Sequence, residues 1–163
     1  MKIKSDNSID DMKGFIKNLQ EESPRAAVII AGAYLDEQLR QLILGSFVNK
    51  SKGEELVGSE SKIDRPLSSF SSRINLAYCL GLIDKRTYDD LNIIRKIRNK
   101  FAHKLHHYSW NEPEIVNWCK TLKHSQMITK INPSIRRTHG DLFIIGVVQV
   151  ASWLGLELVN KKL

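Results

Sequence analysis

The chain has 163 residues, 42% of them hydrophobic and only 7% aromatic, which suits one globular domain with its own core. Its formal net charge of +7 and pI near 9.5 draw it toward polyanions, so nucleic acid is among the partners to consider. Two cysteines, Cys79 and Cys119, form neither a disulfide framework nor a metal-ligand spacing. The opening M-K-I-K-S-D-N-S lacks the apolar run of a signal peptide, and a reducing, cytoplasmic setting is expected.

Helical spacing dominates from the start. Ile9, Met12, Phe15, Ile16 and Leu19 recur on one face over residues 9–20, with Ser8 as N-cap. Ser23-Pro24 opens a second helix reaching about Val48, whose inward face reads Val28, Ala31, Gly32, Leu35, Leu39, Leu42 and Ile43. Small residues near its start allow close helix contact. Residues 49–66 are polar and broken by glycines, and a mobile loop is expected there. Pro66 then starts a helix over Leu67–Leu80 with Phe70, Ile74, Ala77 and Tyr78 inward, stopped by Gly81. Asp84 caps the next, which runs to about His106. A short helix covers Glu112–Lys123, and a second mobile loop spans 125–137.

The last segment, D-L-F-I-I-G-V-V-Q-V-A-S-W-L-G-L-E-L-V, has the length of a membrane span. Gln149, Ser152, Glu157 and two glycines interrupt it, so a buried core helix is expected, although β-branched residues at 144–150 also permit a strand. The whole reads as an all-α, single-domain bundle of five or six helices over 1–163, with no membrane partner.

The stretch R-K-I-R-N-K-F-A-H, residues 95–103, poses the functional question. At about 100° per residue, Leu91, Ile94, Ile97, Phe101 and Leu105 share the core arc, and Arg98 falls inside it. Arg95, Asn99, His103 and His106 form a stripe beside it. Lys96, Lys100 and Lys104 lie opposite, in solvent. A guanidinium does not stay buried unpartnered. Arg98 must pair with a carboxylate, for which Asp36 on the second helix is the candidate, snorkel to the surface, or line a cleft or interface that holds an anion. Within one helix Arg98 and His103 point about 140° apart. A homodimer about this helix would bring one of each into a common groove, where the arginine holds a phosphate and the histidine moves a proton. Asn99 lies one turn from His103 and belongs to the same set, with Arg95 as a further binding residue. Ser69 and Arg73, four apart on the third helix, are secondary candidates for the same cleft.

R-N-K-F-A-H resembles the R-x4-H motif of the HEPN superfamily of small helical domains. That resemblance implies metal-independent RNA cleavage through Arg98, Asn99 and His103, leaving 2′,3′-cyclic phosphate, with RNA as partner and no cofactor. The tyrosine that some of those toxins carry two residues after the histidine is Leu105 here. A longer resemblance is carried by E-S-P-R-A-A-V-I-I-A-G-A-Y-L-D-E-Q-L, P-L-S-S-F-S-S-R-I-N-L-A-Y-C-L-G-L-I and L-N-I-I-R-K-I-R-N-K-F-A-H. In order and spacing these look like the mannitol operon repressor family over Ser23–His103. It implies an all-helical bacterial regulator acting through a protein partner or nucleic acid. The sequence shows no helix-turn-helix with a basic recognition helix and no zinc-finger spacing, so direct DNA reading is not expected.

Smaller constellations carry less. His103 and His107 are four apart but have no third ligand, and no metal site is expected. Trp118 and Trp153 read as core residues and Trp110 as exposed in its loop; the tryptophans do not interleave with cations as a stacking platform would.

Overall fold

A computed structural model describes residues 5–57, 66–104, 108–131, 133 and 137–160, with the side chains of 5–10 excepted. Among these all the regular structure is helical: α1 (Ser5–Glu21), α2 (Pro24–Ser46), α3 (Lys50–Val57), α4 (Phe70–Cys79), α5 (Lys85–His103), α6 (Pro113–Thr121), α7 (Lys123–Ile131) and α8 (His139–Asn160). The all-α expectation holds, with more helices than the five or six expected. The polar stretch 49–66 contains α3, and 125–137 contains most of α7. Both are short helices, too short to persist alone, held by packing on α2 for α3 and on α8 and α5 for α7.

Two long helices organise the core. Ser23 caps α2 by accepting from the Ala26 amide, with Pro24 in the first turn. All seven residues of the expected α2 face are buried. They meet α8, α5, α4, α3 and α1. Helix α8 is helical throughout, without a strand, and it is long and apolar enough to cross a membrane by length and composition. In this fold Phe143, Val147, Val150, Ala151 and Leu154 of α8 are buried in the core, which α8 builds together with α2, α5, α6 and α7.

Close approach at α8 depends on glycine. A Cβ at Gly140 would lie 2.8 Å from Trp110 Nε1, and one at Gly146 would lie 2.9 Å from Ser125 Oγ. Trp110 therefore packs inward, its ring 5.2 Å from both Phe101 and Phe143, contrary to the expectation of an exposed residue. Tyr78, expected inside, is on the surface stacked on Tyr88 at 4.5 Å. Gly81, at φ +66°, turns the chain after α4 as expected.

The connection from α5 to α7 is fixed by one carboxylate. Asp90 is fully buried and accepts from the Lys123 amide at 2.8 Å, the His124 amide at 2.9 Å and pairs with His124 Nδ1 at 2.7 Å. It caps α7 from another helix, at the end whose free amides favour an anion. Replacing Asp90 with Ala strands those amides in the interior and is expected to lower unfolding free energy by about 2–3 kcal/mol, read as a urea midpoint shift.

Cys119 of α6 is fully buried, and burial alone pushes its thiol up to about 12, whereas Cys79 is exposed. In the native protein at about pH 8 an aromatic disulfide reagent is expected to titrate one thiol, and both after denaturation. Rapid native reaction of both would contradict this packing.

Candidate functional site

The outward face of α5 and its neighbours α2, α4 and α6 hold every candidate residue. Asp84 caps α5 through the Thr87 amide, and Leu91, Ile94, Ile97 and Phe101 are buried as the periodicity requires. Leu105, His106 and His107 lie outside the described residues, so the His106 position on the stripe and the His103–His107 spacing go with them.

Asp36 does not pair with Arg98. Its partner is Arg73, 2.8 Å away, and that guanidinium is almost completely buried. Arg73 also donates to Leu67 O at 3.0 Å and Val57 O at 2.9 Å. These carbonyls stand on either side of residues 58–65, so one side chain ties the end of α3 and the approach to α4 onto α2. A cation at the last carbonyl of α3 also suits the helix dipole. Burial holds the Asp36 carboxyl above the usual aspartate range; the hydrogen bond and charge of Arg73 pull the other way without overcoming it, and Arg98 contributes a smaller lowering. Asp36 Oδ1 is buried without a hydrogen-bond partner.

Arg98 takes the snorkelling course. Its stem crosses α2 where Gly32 has no side chain: a Cβ there would lie 3.1 Å from Arg98 Cγ. The guanidinium is at the surface and donates to Asn99 Oδ1 at 3.1 Å. The reason is geometric. Position 98 sits at the rim of the core arc beside a glycine, which accommodates the methylenes and lets the head reach water. Ser69, the other secondary candidate, caps α4 by accepting from the Ser72 amide at 3.0 Å, one turn before buried Arg73. Neither Ser69 nor Arg73 is a free cleft residue. Arg95 is half-buried, with Nη2 donating to Asn92 Oδ1 at 3.3 Å and Nε buried without a partner.

Asn99 and His103 do share a cleft, but Arg98 is not among its lining residues. Lys96, Lys100 and Lys104 line it with them, and Trp118 of α6 forms the opposite wall; it is an open surface cleft of about 530 Å3. His103 is exposed at its end. Glu114 of α6 pairs with Lys100 at 2.8 Å and accepts from the Tyr108 hydroxyl. That arrangement lowers the Glu114 carboxyl, first through the Lys100 hydrogen bond and then through Tyr108, and raises the Tyr108 hydroxyl, first through burial and then through Glu114. The Lys104 ammonium stands 5.9 Å from the Tyr108 ring centre. The sequence places the three lysines in solvent and Trp118 against the core; Trp118 does pack on the core, half-buried, and lines the cleft as well. The lysine spacing was visible in the sequence, but the tryptophan facing it belongs to another helix and shows only in the fold. Among the described residues no group of three or more His, Cys, Asp or Glu is placed to hold a metal ion.

The family model of the mannitol repressor, MtlR, matches residues 15–151. The chain belongs to the mannitol repressor family. The fold is similar to a chain in the X-ray structure of the MtlR–HPr complex from Escherichia coli, with a TM-score of 0.68 at 20% identity, covering 88% of this chain and 97% of that one. No curated protein matches the chain. Family membership thus rests on most of the sequence, whereas the R-x4-H reading rests on six residues, of which Asn99 and His103 line one cleft and Arg98 lies beside it.

The two arginines are expected to differ sharply on substitution. Arg73→Met leaves Asp36 and two carbonyls unpartnered in the interior and should lower stability by about 3–5 kcal/mol. Arg98→Ala removes a surface head and part of a stem, and should change it by about 0.5 kcal/mol. Parallel urea titrations check this; equal losses would mean that Arg98, too, holds the core together.

Proposed function

We propose that this mannitol repressor family member is a regulator that works by binding a protein partner, HPr or an HPr-like carrier, rather than by reading DNA through a helix-turn-helix. The observation that carries the reading is the likeness of fold, over 88% of this chain, to a protein solved in complex with HPr. The local architecture agrees with it. The consecutive short helices α6 and α7 are separated by Leu122 alone. A helix-turn-helix needs a three- to four-residue turn and a second helix free to enter the major groove. Here α7 is anchored by Asp90 and packs on α8 and α5.

Regulation by such a partner requires only an exposed, preformed surface, which a rigid bundle supplies without a cofactor. Purified HPr from the same source organism, titrated into this protein in a calorimeter, is expected to give saturable binding. A titration that stays flat up to about 100 μM HPr would exclude an interaction of even modest strength and overturn the HPr reading.

A further inference from the structure

The cleft between α5 and α6 has a chemistry that partner binding does not explain. From Arg95 of α5 to its C-cap Lys104 the exposed and half-exposed positions are Arg95, Lys96, Arg98, Asn99, Lys100, Ala102, His103 and Lys104, with no acid among them. Lys96, Lys100 and Lys104 follow one another at four-residue steps, about 6 Å of helix rise each. This resembles the separation of successive phosphates along one strand. Glu114 pairs directly with Lys100 and feels the Lys104 charge at longer range; among the described residues no carboxylate lies within 4 Å of the Lys96 or Lys104 ammonium. Across from the lysines, half-exposed Trp118 forms the other wall of the cleft. A row of ammonium groups along one wall and an indole on the other is the pairing that binds unpaired bases while tracking their backbone.

We propose that this cleft binds single-stranded nucleic acid, with Lys96, Lys100 and Lys104 on the phosphates, Trp118 stacked on a base, and Asn99 and His103 donating to sugar or base edges. A duplex is disfavoured because its bases are already stacked and paired and cannot reach the indole. An acidic peptide would satisfy the lysines but has no use for a flat ring. The role is binding alone and involves no bond cleavage.

The test is fluorescence anisotropy of labelled oligo-dT and oligo-rU, about ten nucleotides long, at low salt. Binding should weaken with salt at a log–log slope of about −2, as three phosphate contacts on a single strand require. Lys96→Glu/Lys104→Glu, both at exposed positions, should weaken it at least tenfold. Trp118→Leu should weaken it severalfold, while Trp118→Phe, which keeps an aromatic face, should retain most of it. Thermal melts of each variant establish that it is folded, and the phenylalanine variant keeps the stacking test valid if the leucine variant is not. A preference between oligo-dU and oligo-rU, which differ only in the sugar hydroxyl, would tell whether that hydroxyl is read. Four results would each overturn the proposal: no binding of either oligonucleotide, no effect of the lysine substitutions, a ten-base-pair duplex binding as tightly as the single strand, or oligo-glutamate displacing the strand at equal charge. The last would make the cleft a surface for acidic proteins.

Discussion

The fold depends on a single guanidinium. Arg73 is the one buried arginine among the described residues, and its three partners come from three places: Asp36 in α2, Val57 at the end of α3 and Leu67 before α4. Moving a guanidinium out of water is unfavourable by several kcal/mol, and one carboxylate seldom offsets that alone. The two carbonyls complete the compensation. They also make the pair specific, because each needs its segment in one place. The Leu67 amide in turn donates to Leu56 O at 3.3 Å, closing the same junction from the backbone side. Helix α3, eight residues long and too short to persist alone, is thereby held against α2.

What Arg73 takes, Arg98 cannot have. Both arginines approach Asp36, one from α4 and one from α5, and the carboxylate has a single hydrogen-bonding arginine. The outcome is decided by exits. Arg73 faces the buried junction and has no route to solvent, whereas Arg98 lies over Gly32 and reaches the surface along its own stem. An arginine on a core arc is therefore not sufficient evidence of an anion site. The functional weight moves one strip around α5, to residues that the core does not use.

The sequence discloses much of this and hides the rest for definable reasons. Periodicity alone identifies the α2 stripe from Val28 to Ile43 and the α5 stripe from Leu91 to Phe101, because long helices facing a single core repeat every 3.6 residues. Helices α3 and α7 escape such a reading. Lys50–Val57 buries only Gly53 and Val57, and α7 buries only Ser125, so neither contributes a run of apolar side chains to the core. The competition between Arg73 and Arg98 for Asp36 is a matter of tertiary distance. So is the placement of two tryptophans: Gly140 opens the space that Trp110 fills, while Trp118, half-buried against the core, also lines the cleft. Of the two glycines that interrupt the apolar run of α8, Gly146 is a point of close approach, whereas Gly155 has only an ordinary contact with Gln38.

The lysine row on α5 also has an energetic oddity. Lys96–Lys100 and Lys100–Lys104 are like-charge pairs one turn apart, each unfavourable by about 0.2–0.5 kcal/mol in a helix. The C-terminal dipole offsets part of this over the last turn, and Glu114 offsets part at Lys100. Neither reaches Lys96, which stands almost two turns before the end of α5. A helix under selection for stability alone would place a glutamate at one of these positions, as α1 does with Lys17 and Glu21 and α5 itself does with Lys85 and Asp89. The repulsion is concentrated where the cleft is and is absent from the N-terminal half of the same helix. A bound anion removes it, so the free energy of binding there includes the relief of a strain built into the unliganded helix.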